Sequence, residues 1–331
     1  MIRSEGTRRT AVAALTILTV AAAYYGVAQI GLLVQVHIHG ARVTPLWPTT
    51  GVALTSLLYL GLRVWPGIAL GSLAVVAVSR GSIDLAALAL VAGNTVAPVC
   101  AYLMLRRAEF RREMDRLRDG AALVFLGAMA AMLVSASVRT AVQVLTGRVP
   151  TGDFWPVWAA WWAGDAMGVL IITPFLLVMR KARLPRRTDR WVEATALAAA
   201  SVGLGLVATR SSLSMLYVVF PLLIWAALRF QLAGSAPCAL LLSVLAIVAG
   251  SQGVGPFAGH TVLDVMLNLA VLNGCVALTA LLLAAIVTED KNIRRRIEQA
   301  CDELADVVDH LAPGRSATAW PSRHKDGRDG R

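Results

Sequence analysis

The sequence predicts an all-α fold, a polytopic membrane helix bundle of 8–10 transmembrane helices with both termini inside (N-in/C-in). Three observations carry this prediction. Hydrophobic residues make up 57% of the 331-residue chain and charged residues only 15%, against about 25% charged in an ordinary soluble domain. The apolar residues are gathered into runs, several of them long enough to cross about 30 Å of hydrocarbon. The basic residues behind the net charge of +11 stand in short clusters between those runs. That placement is the signature of membrane topology and speaks against nucleic acid as a partner.

In chain order, residues 1–9 form a short cytoplasmic N-terminus with Arg3, Arg8 and Arg9. The apolar stretch that follows has the arginines and small residues of a secretory signal. It continues to about Val36, however, and so has spanning length; an uncleaved first span is expected. Further apolar runs occupy 46–62, 64–79, 83–105, 121–146, 155–180, 191–208, 213–229, 233–251 and 262–287. The pairs 46–62/64–79 and 191–208/213–229 are short for full spans, which leaves eight or ten crossings and an even parity either way. The loop 106–118 holds six arginines and the loop 180–190 six basic residues. With the N-terminus and the tail after Lys291 they fall on one side, the cytoplasmic one by the positive-inside rule. The outer connections, "VHIHGARVT", "TGRVPTGD" and "SQGVGPFAGH", carry less charge and more Gly and Pro. The domain plan is 1–9 cytoplasmic, 10–287 integral membrane, 288–312 a cytoplasmic coiled-coil-like helix and 313–331 a disordered tail.

Within the apolar part, "WWAGDAMGVLIITPFLL" (161–177) contains a single charge, Asp165. A carboxylate at the centre of a spanning helix costs about 3 kcal/mol on insertion scales, so Asp165 needs a reason. Arg139 lies on the preceding span at a depth within about 5 Å of it, counted at 1.5 Å per residue. A direct Arg139–Asp165 ion pair is therefore expected, and a functional and a purely structural role are equally compatible with it. Asn94 follows Gly93, where another helix can approach closely, and interhelical hydrogen bonding is its expected role. Asn268 and Asn273 also sit in a span, and Asp264 stands at a helix start. In "LWPTTG" (46–51), Trp47 suits the interface belt and Pro48 the first helical turn, while Thr49 and Thr50 suit free backbone groups. This motif lies on the side from which an extracellular ligand arrives.

Other constellations are weaker. "HIH" (37–39) offers two ligands with no Cys or carboxylate near, a poor metal set, and no metal or other cofactor is expected. The cysteines Cys100, Cys238, Cys275 and Cys301 are scattered and read as packing residues. Cys100, Arg139 and His260 lie at opposite ends of their spans and cannot share a proton. No Walker loop, zincin or ordered Ser–His–Asp set occurs, and an enzyme is not expected.

Taken in order, "WPTTG", "GLRVWPG", "GN" at 93–94, "GDAMGVLIITP", "FPLLIWAALRF" and "GVGPF" resemble the bacterial membrane-associated sensor family, type one, over about residues 11–287. The resemblance implies an integral-membrane input domain of the inner (plasma) membrane, of the kind that precedes histidine kinases, diguanylate cyclases or phosphodiesterases, with an unknown small ligand. Two departures stand out. Gln231 occupies a position after "RF" where the family tends to have Gly. After the last span about forty-five residues follow, in which no GGDEF or EAL motif, kinase nucleotide site or phospho-acceptor context around His310 is found. Signalling through a separate cytoplasmic protein is then expected.

The tail repeats apolar residues at Ile293, Ile297, Ala300, Leu304, Val307 and Leu311, the spacing of a coiled-coil seam and a route to a homodimer. A remnant linker explains the same helix equally well. The function expected is thus a membrane sensory module without catalysis of its own. The rival is a small-solute transporter, suggested by Arg139, Asp165 and a loose likeness between "WPTTGVALTSLLYLGLRVWPG" and "FPLLIWAALRFQLAG".

Overall fold

A computed structural model describes residues 2–38, 41–181, 191–211 and 215–311. The order is α1 (Ile2–Leu32), a hairpin of β1 (Val36–Ile38) and β2 (Ala41–Val43), α2 (Pro48–Leu60), α3 (Trp65–Arg80) and α4 (Leu85–Arg107). Then come α5 (Leu117–Leu145), α6 (Thr151–Arg180), α7 (Trp191–Arg210), α8 (Val219–Phe230), α9 (Leu232–Gln252) and α10 (Val262–Leu311). By contacts the chain divides into two units, the first ending at Glu289 and the second beginning at Asp290. The fold is an all-α polytopic membrane bundle.

Eight of these helical stretches are long and apolar enough to cross a membrane. Each pair that looked short in sequence resolves into one full-length and one short helix. Leu62–Arg80 and Trp191–Arg210 reach spanning length, whereas α2 has 13 residues and the α8 segment, Leu216–Phe230, is likewise short. At 1.5 Å per residue α2 is only about 20 Å long. Its sequence explains how a short helix persists in this setting. Every residue from Pro48 to Thr55 is buried, so this part of the helix has no outward face and is held by neighbours all round, while Leu60 at its end is exposed. Those neighbours are α1, α4 and α6.

Helices α1, α3, α4, α5 and α6 pack in succession, and α2 lies against α1, α4 and α6. Gly93 brings α4 and α5 together, since a Cβ there would lie 3.0 Å from Val138. Helices α7, α8 and α9 pack on one another, and α9 also meets the end of α6. Ser235 ties α9 to α10 by donating to the carbonyl of Ala280 (3.1 Å). Both α5 and α6 contain a π-helical stretch, Leu123–Ala130 and Gly168–Ile172, and the two stretches touch. Widened turns of this kind recur at functional sites.

Three details refine the sequence reading. The "VHIHGARVT" connection contains a two-stranded hairpin, with His37 opposite Arg42; His39 lies outside the described residues, as do residues 182–190 of the second basic loop and the tail from 312. The cysteines are not all packing residues: Cys238 is buried and Cys100 half-buried, but Cys275 and Cys301 are exposed, because they sit on outward faces of α10. Gln231, the residue in place of the family's Gly, joins α8 to α9 with φ 51° and ψ −139°. That conformation suits glycine and strains any residue with a Cβ.

Candidate functional site

The two most distinctive sequence motifs, "WPTTG" and "GDAMG", dock onto each other. Helix α2 begins against α6, and the contact is backbone on backbone. The Trp47 N–H donates to the Gly164 carbonyl (3.0 Å). A Cβ on Gly168 would collide with the Trp47 carbonyl oxygen, one on Gly164 with that of Thr44, and one on Gly51 with that of Gly168. Gly164 and Gly168 stand four apart, the small-xxx-small spacing that lets two backbones meet. Thr50 then donates to the carbonyls of Trp47 (2.8 Å) and Asp165 (3.0 Å), and Thr173 to that of Gly51 (3.3 Å). Pro48 at the first turn starts α2 without an N–H to satisfy.

A charged network adjoins this junction. Asp165 is fully buried, and its Oδ2 accepts a hydrogen bond from Ser135 of α5. Arg139, one turn further along α5, is 7% exposed and donates through Nη2 to Oδ1 of Asn94 (2.5 Å). Asn94 in turn donates to Ser72 of α3 (2.9 Å). The guanidinium lies over the Trp161 ring, 4.1 Å from its centroid, and 5.8 Å from that of Trp47. Tyr24 of α1 is buried facing Thr49 and Ser72. Helices α1 to α6 thus all contribute to one polar core. Four of its atoms make no hydrogen bond among the described residues: Asp165 Oδ1, Thr49 Oγ1 and the indole nitrogens of Trp47 and Trp161. Buried polar atoms are normally satisfied, so this concentration is unusual.

The sequence pattern of the MASE1 family, a membrane-associated sensor domain, matches residues 16–291. The chain belongs to the MASE1 family. No curated protein and no solved structure matches it. MASE1 is a membrane sensory domain found in histidine kinases and diguanylate cyclases, and the chain is a multi-pass membrane protein with such a domain.

Within this MASE1 bundle, Asp165, Arg139, Asn94, Trp47, Pro48 and Thr50 all come together. The direct ion pair expected between Arg139 and Asp165 does not form. Arg139 bonds Asn94 and Asp165 bonds Ser135, so the two charges interact only through space. Equal depth fixes position along two helices but not which face each side chain occupies. Asn94 is an interhelical link, as read from sequence, joining α3 and α5. Asp264 is a helix-start residue, exchanging hydrogen bonds with Thr261 (2.7 and 3.2 Å). Asn268 is exposed, while Asn273 is buried with neither amide atom bonded among the described residues. Sequence reasoning missed Ser135, Trp161, Ser72 and Tyr24. Ser135 precedes Arg139 by four residues, and Trp161 precedes Asp165 by four, so helical periodicity marked both. Ser72 and Tyr24 are uncharged and remote in sequence, and nothing marked them.

Proposed function

We propose that this chain is the signal-input module of a bacterial inner-membrane system, N-in/C-in, without catalysis of its own. The buried network around Asp165 and Arg139 is its sensing core. One observation carries this reading: the junction of the two most specific family motifs is also where buried charge and unpartnered polar atoms concentrate. Intramembrane ionisable residues are expensive and are retained where they act. A small polar ligand entering this core would meet acceptors and donors already dehydrated. Its effect would leave through α10, whose part beyond Asp290 presents Ile293, Ile297, Leu304 and Val307 exposed along one seam. That seam suits a second copy of the chain and, at the cytoplasmic side, a separate signalling protein.

The test is a chimera in which residues 1–311 precede a diguanylate cyclase domain. Its output per molecule is expected to differ from that of the same cyclase on an unrelated membrane anchor. Equal output from the two would contradict an input role.

A transporter is the second reading, favoured by one feature. The loosely similar segments both fold as a short helix, a positive-φ residue (Gly61, φ 77°; Gln231, φ 51°) and a long helix. The two copies are separated by an even number of helices, so they run in the same sense rather than inverted. Uphill solute uptake by reconstituted vesicles would favour this reading over the sensory one.

A further inference from the structure

We propose that the end of the bundle carrying Tyr59, Arg106, Arg112 and Arg180, where two cavities share the Tyr59 wall, binds a phosphoryl group supplied by the headgroup of an anionic lipid. The observations are independent of the sensing core. Tyr59, at the end of α2, carries two guanidinium groups on one ring: that of Arg180 at 4.3 Å from the centroid and that of Arg112 at 5.3 Å. The Tyr59 hydroxyl reaches the Leu177 carbonyl at 3.5 Å, which orients the ring. Tyr59 walls two adjoining cavities. One, of 390 Å³, is lined by Arg106, Arg112, Tyr102 and Phe110 among others. The other, of 230 Å³, is lined by Arg180 and Ser56.

Two arginines therefore stack on one aromatic residue, from the α4–α5 connection and the end of α6, and a third, Arg106 at the end of α4, lines the larger cavity beside it. Among the described residues none of the three forms an ion pair, although Arg118, Arg229 and Arg294 elsewhere do. Like charges gathered without an ion-pair partner of their own repel one another, and a bound anion relieves this. The guanidinium fork matches phosphate oxygens two at a time, and stacking on Tyr59 fixes the planes of two forks beforehand. All three side chains belong to exposed residues and are accessible. Leu58, Leu60 and Phe110 place apolar surface in the same cavity. Cationic groups above apolar walls, at the ends of spanning helices, suit a phospholipid more closely than a wholly soluble anion.

Occupancy has a structural consequence. Tyr59 ends α2 and Arg180 ends α6, the same two helices that the glycine junction joins at their other contact. A phosphoryl group held between them would fix that pair at both places.

The full chain is reconstituted in nanodiscs of phosphatidylcholine alone or with phosphatidylglycerol, and its melting temperature and bound lipid are measured. Inorganic pyrophosphate is titrated in the phosphatidylcholine discs as the soluble arm. Phosphatidylglycerol is expected to raise the melting temperature and to stay bound through native mass spectrometry. The double variant Arg112→Lys, Arg180→Lys keeps the charge but loses the planar forks, and is expected to bind about tenfold more weakly. Arg107→Gln with Arg116→Gln, which removes two positive charges at residues that line neither cavity, is expected to leave binding intact. Stabilisation by pyrophosphate alone, lost in the Lys variant, would keep the phosphoryl site and replace the lipid as its source. Absence of any effect from both anions would overturn the proposal. So would an effect that the Lys variant retains in full, or that the Gln control abolishes, since either means diffuse surface charge.

Discussion

Arg139 and Asp165 each solve the problem of a buried charge separately. The guanidinium is held by the Asn94 carbonyl and by the Trp161 face, the carboxylate by Ser135. Removing one partner then strands a charge in a low-dielectric interior, which is costlier than losing an ordinary hydrogen bond. Asn94→Ala is expected to cost about 2 kcal/mol, read as a lower melting temperature in detergent. Ser72→Ala on that background should add little, because Ser72 acts on Arg139 only through Asn94; full additivity of the two would break the proposed chain. Asp165 was legible in the sequence because a lone carboxylate among apolar residues has few reasons to exist. Its partner was misread because depth along a helix says nothing of azimuth, and Ser135 offered a shorter reach.

The junction between α2 and α6 depends on absent side chains. The Gly168 hydrogen points at a backbone carbonyl, which cannot rotate away as a side chain does. Gly168→Ala is expected to cost about 3 kcal/mol or more and to reduce folded protein in the membrane. Gly203, with open space around it, is the control, and Gly203→Ala should leave the yield unchanged. Gln231→Gly should act in the opposite direction, relieving the strained φ between α8 and α9 by about 1 kcal/mol, and an unchanged melting temperature would count against that strain. In the C-terminal part of α10, Leu304 is 64% exposed on the proposed seam. A Leu304→Cys chain is expected to crosslink to its own copy in membranes, whereas equal crosslinking from every face of that helix would indicate a plain linker. Helix positions were legible because apolar run length is a strong signal. The π stretches of α5 and α6 were not, since they depend on packing against distant residues, and the β1–β2 hairpin was not because strands of three residues are too short for alternation to mark them.

Over the whole molecule, the spans were legible and their assembly was not. Composition and charge clusters were enough for a polytopic bundle, but nothing in the apolar runs indicated that the first half of α2 would be buried between α1, α4 and α6. Orientation rests on the basic clusters alone. Reporter fusions after Arg118, Arg190 and Gly314 are expected to report cytoplasm and one near Gly152 the outside. The functional reading rests on the polar core, and it is tested most directly by the output of the cyclase chimera carrying Asp165→Asn. The substitution keeps the size of the side chain and its capacity to accept from Ser135 while removing the charge. Output per folded molecule is expected to change by several-fold with the amount of folded protein in the membrane preserved. Unchanged output at an unchanged level of folded protein would mean that Asp165 does not take part in sensing, and would contradict the role assigned to this core.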